Sequence, residues 1–411
     1  MAQTIFIIII SILVFDFLLE RLLDYLNSTY WSNELPKELR GIYDAEKYKK
    51  SQDYQKVNQR FSLLTSSLSF AAMMLMLLFG GFAFVDAYVR QFTDNPILMA
   101  LIFFGIIGFA ADILNTPFGI YDTFVIEQKF GFNNTTVKTY IFDKLKGWLL
   151  AIVLGGGLLA LFIFIYSKTG DNFWWIAWLV FSIISIFFSM FYSDIIVPLF
   201  NKQNPLEDGE LRSAIEVFAN KTGFKLKNIF VIDGSKRSNK ANAYFTGLGS
   251  KKRIVLYDTL IKDHTTEELV AVLAHEVGHY KKKHTIKTII ISLIETAMML
   301  YILSWFISNP VLSESLGTPQ SFHISIIVFG ILYSPLSMIL GLAMNVLSRK
   351  HEYEADKFAA ENYAAKPLAD ALKKLSVNNL SNLRPHPVYV FFHYSHPTLL
   401  QRLSALNQLI K

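Results

Sequence analysis

Long apolar runs alternate with polar connections along the 411-residue chain. Stretches close to the ~20 residues that carry a helix across a bilayer fall at about 4–23, 62–85, 96–114, 147–167, 173–197, 286–308 and 322–347. Each predicts a membrane-spanning helix, and Trp148, Tyr166, Trp174 and Trp175 stand near span ends, where amphipathic rings favour the membrane–water interface. The first run, Ile5 to Phe15, has no basic leader and no small-residue cleavage site after it; Asp16, Glu20 and Arg21 follow instead. It reads as a retained anchor rather than a cleaved signal peptide.

Basic residues sort with these runs. The connections 198–285 and 348–411 hold 15 and nine Lys and Arg, while those after spans two, four and six hold one, one and none. Under the positive-inside rule this alternation predicts an N-terminus outside and both basic regions in the cytoplasm. The net charge of +6 therefore reports topology, and no nucleic-acid partner is expected. A composition 52% hydrophobic and only 18% charged agrees, since soluble domains carry roughly 25% charge. Asp112, Asp194 and Glu295 fall within or near spans. The first two can sit at interfaces, whereas Glu295 is placed to face a cavity.

Between spans five and six the pattern becomes that of a soluble fold. Residues 208–222 follow an amphipathic helical period, and β-like runs follow at 228–232, 241–245 and 253–257, with Gly247 and Gly249 as turns. Thr265 and Glu268 then match a capping box that opens a helix through EELVAVLAHEVGHY. Four residues separate His275 from His279, so a helix aims both imidazoles along one face, with Glu276 one step round. This H-E-x-x-H is the pattern of a zinc hydrolase: two ligands, and a carboxylate able to take a proton from an activated water. The chain has no cysteine, so a third ligand must come from His, Asp or Glu. Glu352 and Asp356, again four apart, follow 73 residues beyond His279. Either can complete the site while the other orients a ligand histidine. Glu354 lies off that face, and His351 competes as a ligand.

With these residues assembled, the chain resembles the type I CAAX prenyl protease family, membrane gluzincins. The likeness spans IYDTFVIEQKFGFNNTT (120–136), PLFNKQNPLEDGELR (198–212), SNKANAYFTGLGSKKRIVLYDTL (238–260), LAHEVGHY (273–280), SRKHEYEADKFA (348–359) and HYSHPTLLQRL (393–403). It implies an all-α polytopic membrane protein whose seven helices enclose a water-filled chamber, with a cytoplasmic zincin-like α+β metalloprotease domain. The corresponding division is 1–197 for spans one to five, 198–285 for the zinc-motif segment, 286–347 for spans six and seven, and 348–411 for a C-terminal helical segment. The resemblance assigns one Zn²⁺ to His275, His279 and Glu352, with Glu276 as general base. It further implies His396 on the oxyanion, Asp356 and Arg402 behind the ligands, Arg349 anchoring their helix, and Asn242, Ala243 and Tyr244 as the strand that pairs with substrate.

The expected function is a zinc-dependent membrane endopeptidase that removes C-terminal residues after a prenylated cysteine, with a lipidated or plain peptide and membrane lipid as partners. A short connection at 308–321 and no retention signal at the end suggest a bacterial homologue, placed in an inner membrane, or in the endoplasmic reticulum if the protein is eukaryotic. That favours as alternative a quality-control protease without prenyl specificity. A transporter or scaffold with a vestigial metal site is the reading from another class.

Overall fold

The computed structural model describes residues 1–32, 34–37, 40, 43–224, 229–247 and 252–409; residue 228 and Gly249, named above, lie outside them. Seven helices among the described residues are long and apolar enough to span a membrane. In chain order the first are α1 (Ala2–Ser28) and α2 (Ala45–Leu78). The second span ends earlier than its apolar run suggested. Gly80 adopts a left-handed conformation (φ 68°) and opens a separate short helix, α3 (Gly81–Val89). Next come α4 (Pro96–Phe130), α5 (Val137–Thr169) and α6 (Phe173–Phe200). Asn95 caps α4 by accepting from the Ile97 and Leu98 amides, with Pro96 in the first turn. Helix α4 carries Pro117 inside it, and π-helical turns interrupt α4 at Asp122–Glu127 and α5 at Ala151–Gly156.

The chain then leaves the spanning layer. Strand β1 (Gln203–Pro205) and helix α7 (Glu210–Lys221) precede β2 (Ile229–Ile232), β3 (Ala243–Thr246) and β4 (Arg253–Tyr257). The sheet order is β1-β2-β4-β3: β2 and β4 are parallel, and the outer strands are antiparallel to their neighbours. Among the described residues β3 therefore has one edge unpaired within the sheet. Short helix α8 (Asp258–Asp263) leads into α9 (Thr266–Lys281). The expected capping box is present there: Thr265 accepts from the Glu268 amide and Glu268 accepts from the Thr265 amide. Lys283, left-handed at φ 57°, turns the chain sharply into α10 (His284–Phe306). After α11 (Pro310–Glu314), a single 41-residue helix, α12 (Phe322–Asn362), both crosses the membrane layer and enters the soluble domain. At 1.5 Å per residue it is about 60 Å long. Helices α13 (Ala365–Asn378), α14 (Pro387–His393) and α15 (Leu399–Asn407) complete the fold.

Two large cores among the described residues hold most of these elements, with a smaller cluster of Tyr54, Ile126, Phe130, Phe132 and Leu380 beside them. In the soluble domain Ile215, Ile254, Leu256, Leu273, Ala274 and Val277 are buried between sheet and helices. Ile9, Phe103, Phe173, Ile324 and Val328 tie the spanning helices together. The most apolar window of each span is at most 17% buried. The spans thus touch along narrow seams and leave most of their apolar surface exposed. Asp86 is satisfied within the helical layer by His323 at 2.6 Å and Arg90 at 2.7 Å, and Asp112 by Lys144 at 2.8 Å. Asp194 pairs with Arg253 on β4. Glu295, expected toward a cavity, is half-buried on α10.

The contact that positions everything below is between α9 and α12. A Cβ on Gly278 would lie 3.1 Å from both Cα and O of Ala355 and 3.2 Å from Cβ of Phe358. Only the missing side chain lets the two backbones approach so closely. Gly278→Ala should destabilise the protein by about 1–3 kcal/mol through overpacking and lower its melting temperature in detergent. A melting curve matching the unaltered chain would refute this account of the contact.

Candidate metal centre

On α9, His275 and His279 are one turn apart and face α12. On α12, Glu352 and Asp356 are likewise one turn apart and both buried. The meeting of these two faces brings His279 Nε2 to 3.1 Å from Glu352 Oε1, and His275 Nε2 to 3.4 Å from Glu352 Oε2. The two Nε2 atoms are 3.1 Å from each other. One nitrogen from each imidazole and one carboxylate oxygen all lie within 4.8 Å of one another.

Asp356, the competing third acid, points to the other side of His275. Its Oδ1 is 2.8 Å from His275 Nδ1, which leaves Nε2 to face Glu352. Arg402, from α15, grips Asp356 with two hydrogen bonds, Nε to Oδ2 at 2.8 Å and Nη2 to Oδ1 at 2.6 Å. Its Nη1 lies 3.4 Å from Glu352 Oε2. A fork of this kind fixes a carboxylate in two directions at once. Arg349 donates to the carbonyls of Tyr394 at 2.5 Å and Val390 at 3.3 Å, which docks α14 and the following loop against α12. That loop presents His396, largely exposed, with Nδ1 3.0 Å from Glu352 Oε2.

His351 is not among the converging atoms. Its ring stacks on His284 with centroids 3.9 Å apart and planes 11° from parallel. Glu354 also points elsewhere, with Oε2 3.0 Å from His284 Nε2. Sequence reasoning passed over His284 altogether. Its only local signal is a histidine five residues after His279, and its neighbours on α12 are set by the fold.

The electrostatics of the pocket favour a cation. Burial opposes a charge on His275, yet hydrogen bonds to Asp356 and Glu352 outweigh it and lift the imidazole to about 9. Burial raises the Glu276 carboxyl above the ordinary range, with His275 and His279 pulling the other way. Two imidazole nitrogens face each other at 3.1 Å beside Glu352 Oε2, a buried oxygen with three nitrogens at 3.0–3.4 Å and no hydrogen bond of good geometry. Two imidazole nitrogens and a buried carboxylate at such distances are the donor set of a divalent metal, and two nitrogens with one oxygen suit zinc-type ions. The residues present fit a metal.

A cavity of ≈ 700 Å³ opens at this point, lined by Asn242, Ala243, Tyr244, Glu276, Ser189 and Leu372 among others. The unpaired edge of β3 and the acid of the H-E-x-x-H thus border one space. Asn242 holds its own loop: its Oδ1 accepts from the Ala243 amide at 2.8 Å and its carbonyl from the Tyr257 amide at 3.1 Å.

The buried Arg402–Asp356 pair is expected to be costly to break. Arg402→Met should destabilise the protein by about 3–5 kcal/mol, because Asp356 keeps its charge and loses its main partner. The comparison is thermal unfolding of both forms in one detergent, and an unshifted transition would contradict the role given to this ion pair.

The chain is similar to known proteins along most of its length. Residues 26–202 match the family described as CAAX prenyl protease N-terminal, five membrane helices, and residues 205–410 match peptidase family M48. CAAX prenyl protease 1 of Saccharomyces cerevisiae is 36% identical over 401 residues, covering 91% of this chain and 88% of that protein. The CAAX prenyl protease 1 homolog of Dictyostelium discoideum is 34% identical over 98% of this chain and 97% of its own. The crystal structure of S. mikatae Ste24p superposes with a TM-score of 0.92 at 34% identity, covering 98% of this chain and 99% of that one.

Proposed function

The chain belongs to peptidase family M48 with the CAAX prenyl protease N-terminal region, a multi-pass membrane metalloendopeptidase, and we propose that it uses zinc to remove C-terminal residues after a prenylated cysteine. One observation carries this reading: His275, His279 and Glu352 converge within 4.8 Å beside Glu276 and an unpaired strand edge.

His275, His279 and Glu352 would hold the metal, and bound there zinc supplies a Lewis acid for the scissile carbonyl and lowers the pKa of water. An extended peptide adds to the free edge of β3 at Ala243 and Tyr244, where backbone hydrogen bonds fix its direction and register. Asn242, at the start of that strand, holds the approach to it. Glu276 faces the same cavity; its carboxylate takes a proton from the attacking water and returns it to the leaving amine. His396, exposed at the rim, donates to the oxygen that gains charge as the carbonyl becomes tetrahedral. Arg402 and Asp356 keep His275 in the tautomer that leaves Nε2 free. A chamber between the spans would take the lipid chain attached to the peptide. Relatives named for CAAX processing, matched over nine-tenths of the chain, favour this substrate over unmodified membrane polypeptides. The distribution of Lys and Arg supports a cytoplasm-facing site.

Purified protein should carry one zinc per chain and cleave a farnesylated C-terminal peptide in preference to its unmodified form. Glu276→Gln should retain the zinc and lose roughly 10²–10⁴ of the turnover, the share a general base supplies. Full turnover in that variant would end the assignment of Glu276, and equal cleavage of both peptides would favour a quality-control role.

Orientation has its own test, made simple by the absence of cysteine. Lys366 on α13 and Ser308 between α10 and α11 are both exposed. Lys366→Cys should react with a membrane-impermeant maleimide only from the cytoplasmic side, and Ser308→Cys only from the opposite side. Labelling of both from one side would exclude this topology.

A further inference from the structure

The two candidate ligand histidines are supported differently. His275 has a carboxylate directly behind it, Asp356 at 2.8 Å from Nδ1. His279 has none. Its Nδ1 lies 3.1 Å from Nδ1 of His284, and Nε2 of His284 lies 3.0 Å from Oε2 of Glu354. From the geometry of this chain we infer that His284 and Glu354 are positioning residues for the metal, acting through His279 as an imidazole relay that ends on a carboxylate.

The proton assignments in the relay are forced once His279 uses Nε2 as a ligand, the reading on which this inference rests. Nε2 then offers its lone pair, so the proton of His279 sits on Nδ1 and is donated. His284 Nδ1 must accept it, which puts the His284 proton on Nε2. That proton is donated to Glu354. Each of the four ring nitrogens has one defined role, and both tautomers follow from the carboxylate at the end of the row.

The surroundings are built to hold His284 still. It is buried, with a side chain only 3% exposed, and it opens α10 directly after the left-handed turn at Lys283. That turn folds α10 back so that the His284 ring meets His279, with ring centroids 5.1 Å apart. The stack on His351 fixes the plane of the ring. Glu354 is about one-third exposed, so it contributes a hydrogen bond without being needed to fill the core. Glu354 and Glu352 share one turn of α12; one carboxylate faces the metal site and the other reaches it through two rings.

Replacing residues that orient metal ligands typically weakens metal binding about 10–100-fold. His284→Phe keeps an aromatic ring against His351 but removes both hydrogen bonds. His284→Gln restores an acceptor for His279 and a donor for Glu354. Zinc affinity of the full-length chain, read by competition with a chromophoric chelator, should fall about 10–100-fold in His284→Phe and recover in part in His284→Gln. Cobalt-substituted protein should show altered d–d absorption in His284→Phe. Glu354→Gln, at a partly exposed position that leaves folding intact, should show a smaller loss of affinity. Combining it with His284→Phe should add nothing further, because both act through one ring. Unchanged zinc affinity in His284→Phe, no gain in His284→Gln, or additive losses in the double variant would each overturn the relay. His279→Ala separates this from the assignment beneath it. Stoichiometric zinc of unaltered affinity in that variant would remove His279 as a ligand, whereas its loss beside an unaffected His284→Phe would condemn the relay alone.

Discussion

The packing of α9 on α12 at Gly278 is the constraint from which the rest of the site follows. Packed helices ordinarily sit about 8–10 Å apart, and a side chain at position 278 would press on the Ala355 backbone and shift the imidazoles of one helix relative to the carboxylate of the other. The glycine removes the one Cβ that would touch the Ala355 backbone. His275 and His279 then fall within 3.4 Å of Glu352. Every other polar contact, from Arg402 to His284, is arranged around that approach.

Such an approach concentrates charge in a place where water is scarce. Glu352, Asp356, Arg402 and His275 are all buried or nearly so. Ions in that setting lose several kcal/mol of hydration each. The structure offsets this unevenly. Arg402 and Asp356 satisfy one another through two short hydrogen bonds. Around Glu352 Oε2 three nitrogens lie at 3.0–3.4 Å without a hydrogen bond of good geometry, and the two Nε2 atoms face each other at 3.1 Å. A binding site for a cation is in this sense a locally unsatisfied region made tolerable by a rigid frame, with the missing stabilisation supplied on binding.

The membrane layer and the soluble domain share one rod. Helix α12 begins among Ile324 and Val328 in the spanning core and ends with Ala359 in the soluble core. Glu352, Glu354 and Asp356 therefore stand on an element held at both ends, more exact than a loop could make it. The sheet is tied to the same layer through Arg237, whose guanidinium clasps Asp143 on α5 at 2.7 and 2.8 Å. A peptide added at the edge of β3, as proposed, would thereby be registered against the membrane helices as well as the metal centre.

Much of this was legible in the chain itself, because the relevant rules are local. Bilayer thickness sets how long an apolar run must be, a 3.6-residue period puts positions 275 and 279 on one face, and a Thr-x-x-Glu box marks where α9 begins. The seven spans, the three longer strands and the H-E-x-x-H helix all follow from such rules. The break at Gly80, the three-residue β1 and helix α8 escaped them. A span's end depends on one left-handed residue, a strand so short has no period, and α8 is held mainly by the elements around it. The choice between Glu352 and Asp356 was likewise closed to spacing, since both lie on one helix face and only the placement of α9 and Arg402 tells them apart. The same holds for His351, a ligand candidate by composition and a stacking partner in space, and for His284, whose one local signal is its place five residues after His279. Distances between groups 70 or more residues apart are set by how helices pack, and packing is decided by the whole tertiary arrangement, down to one absent methyl group.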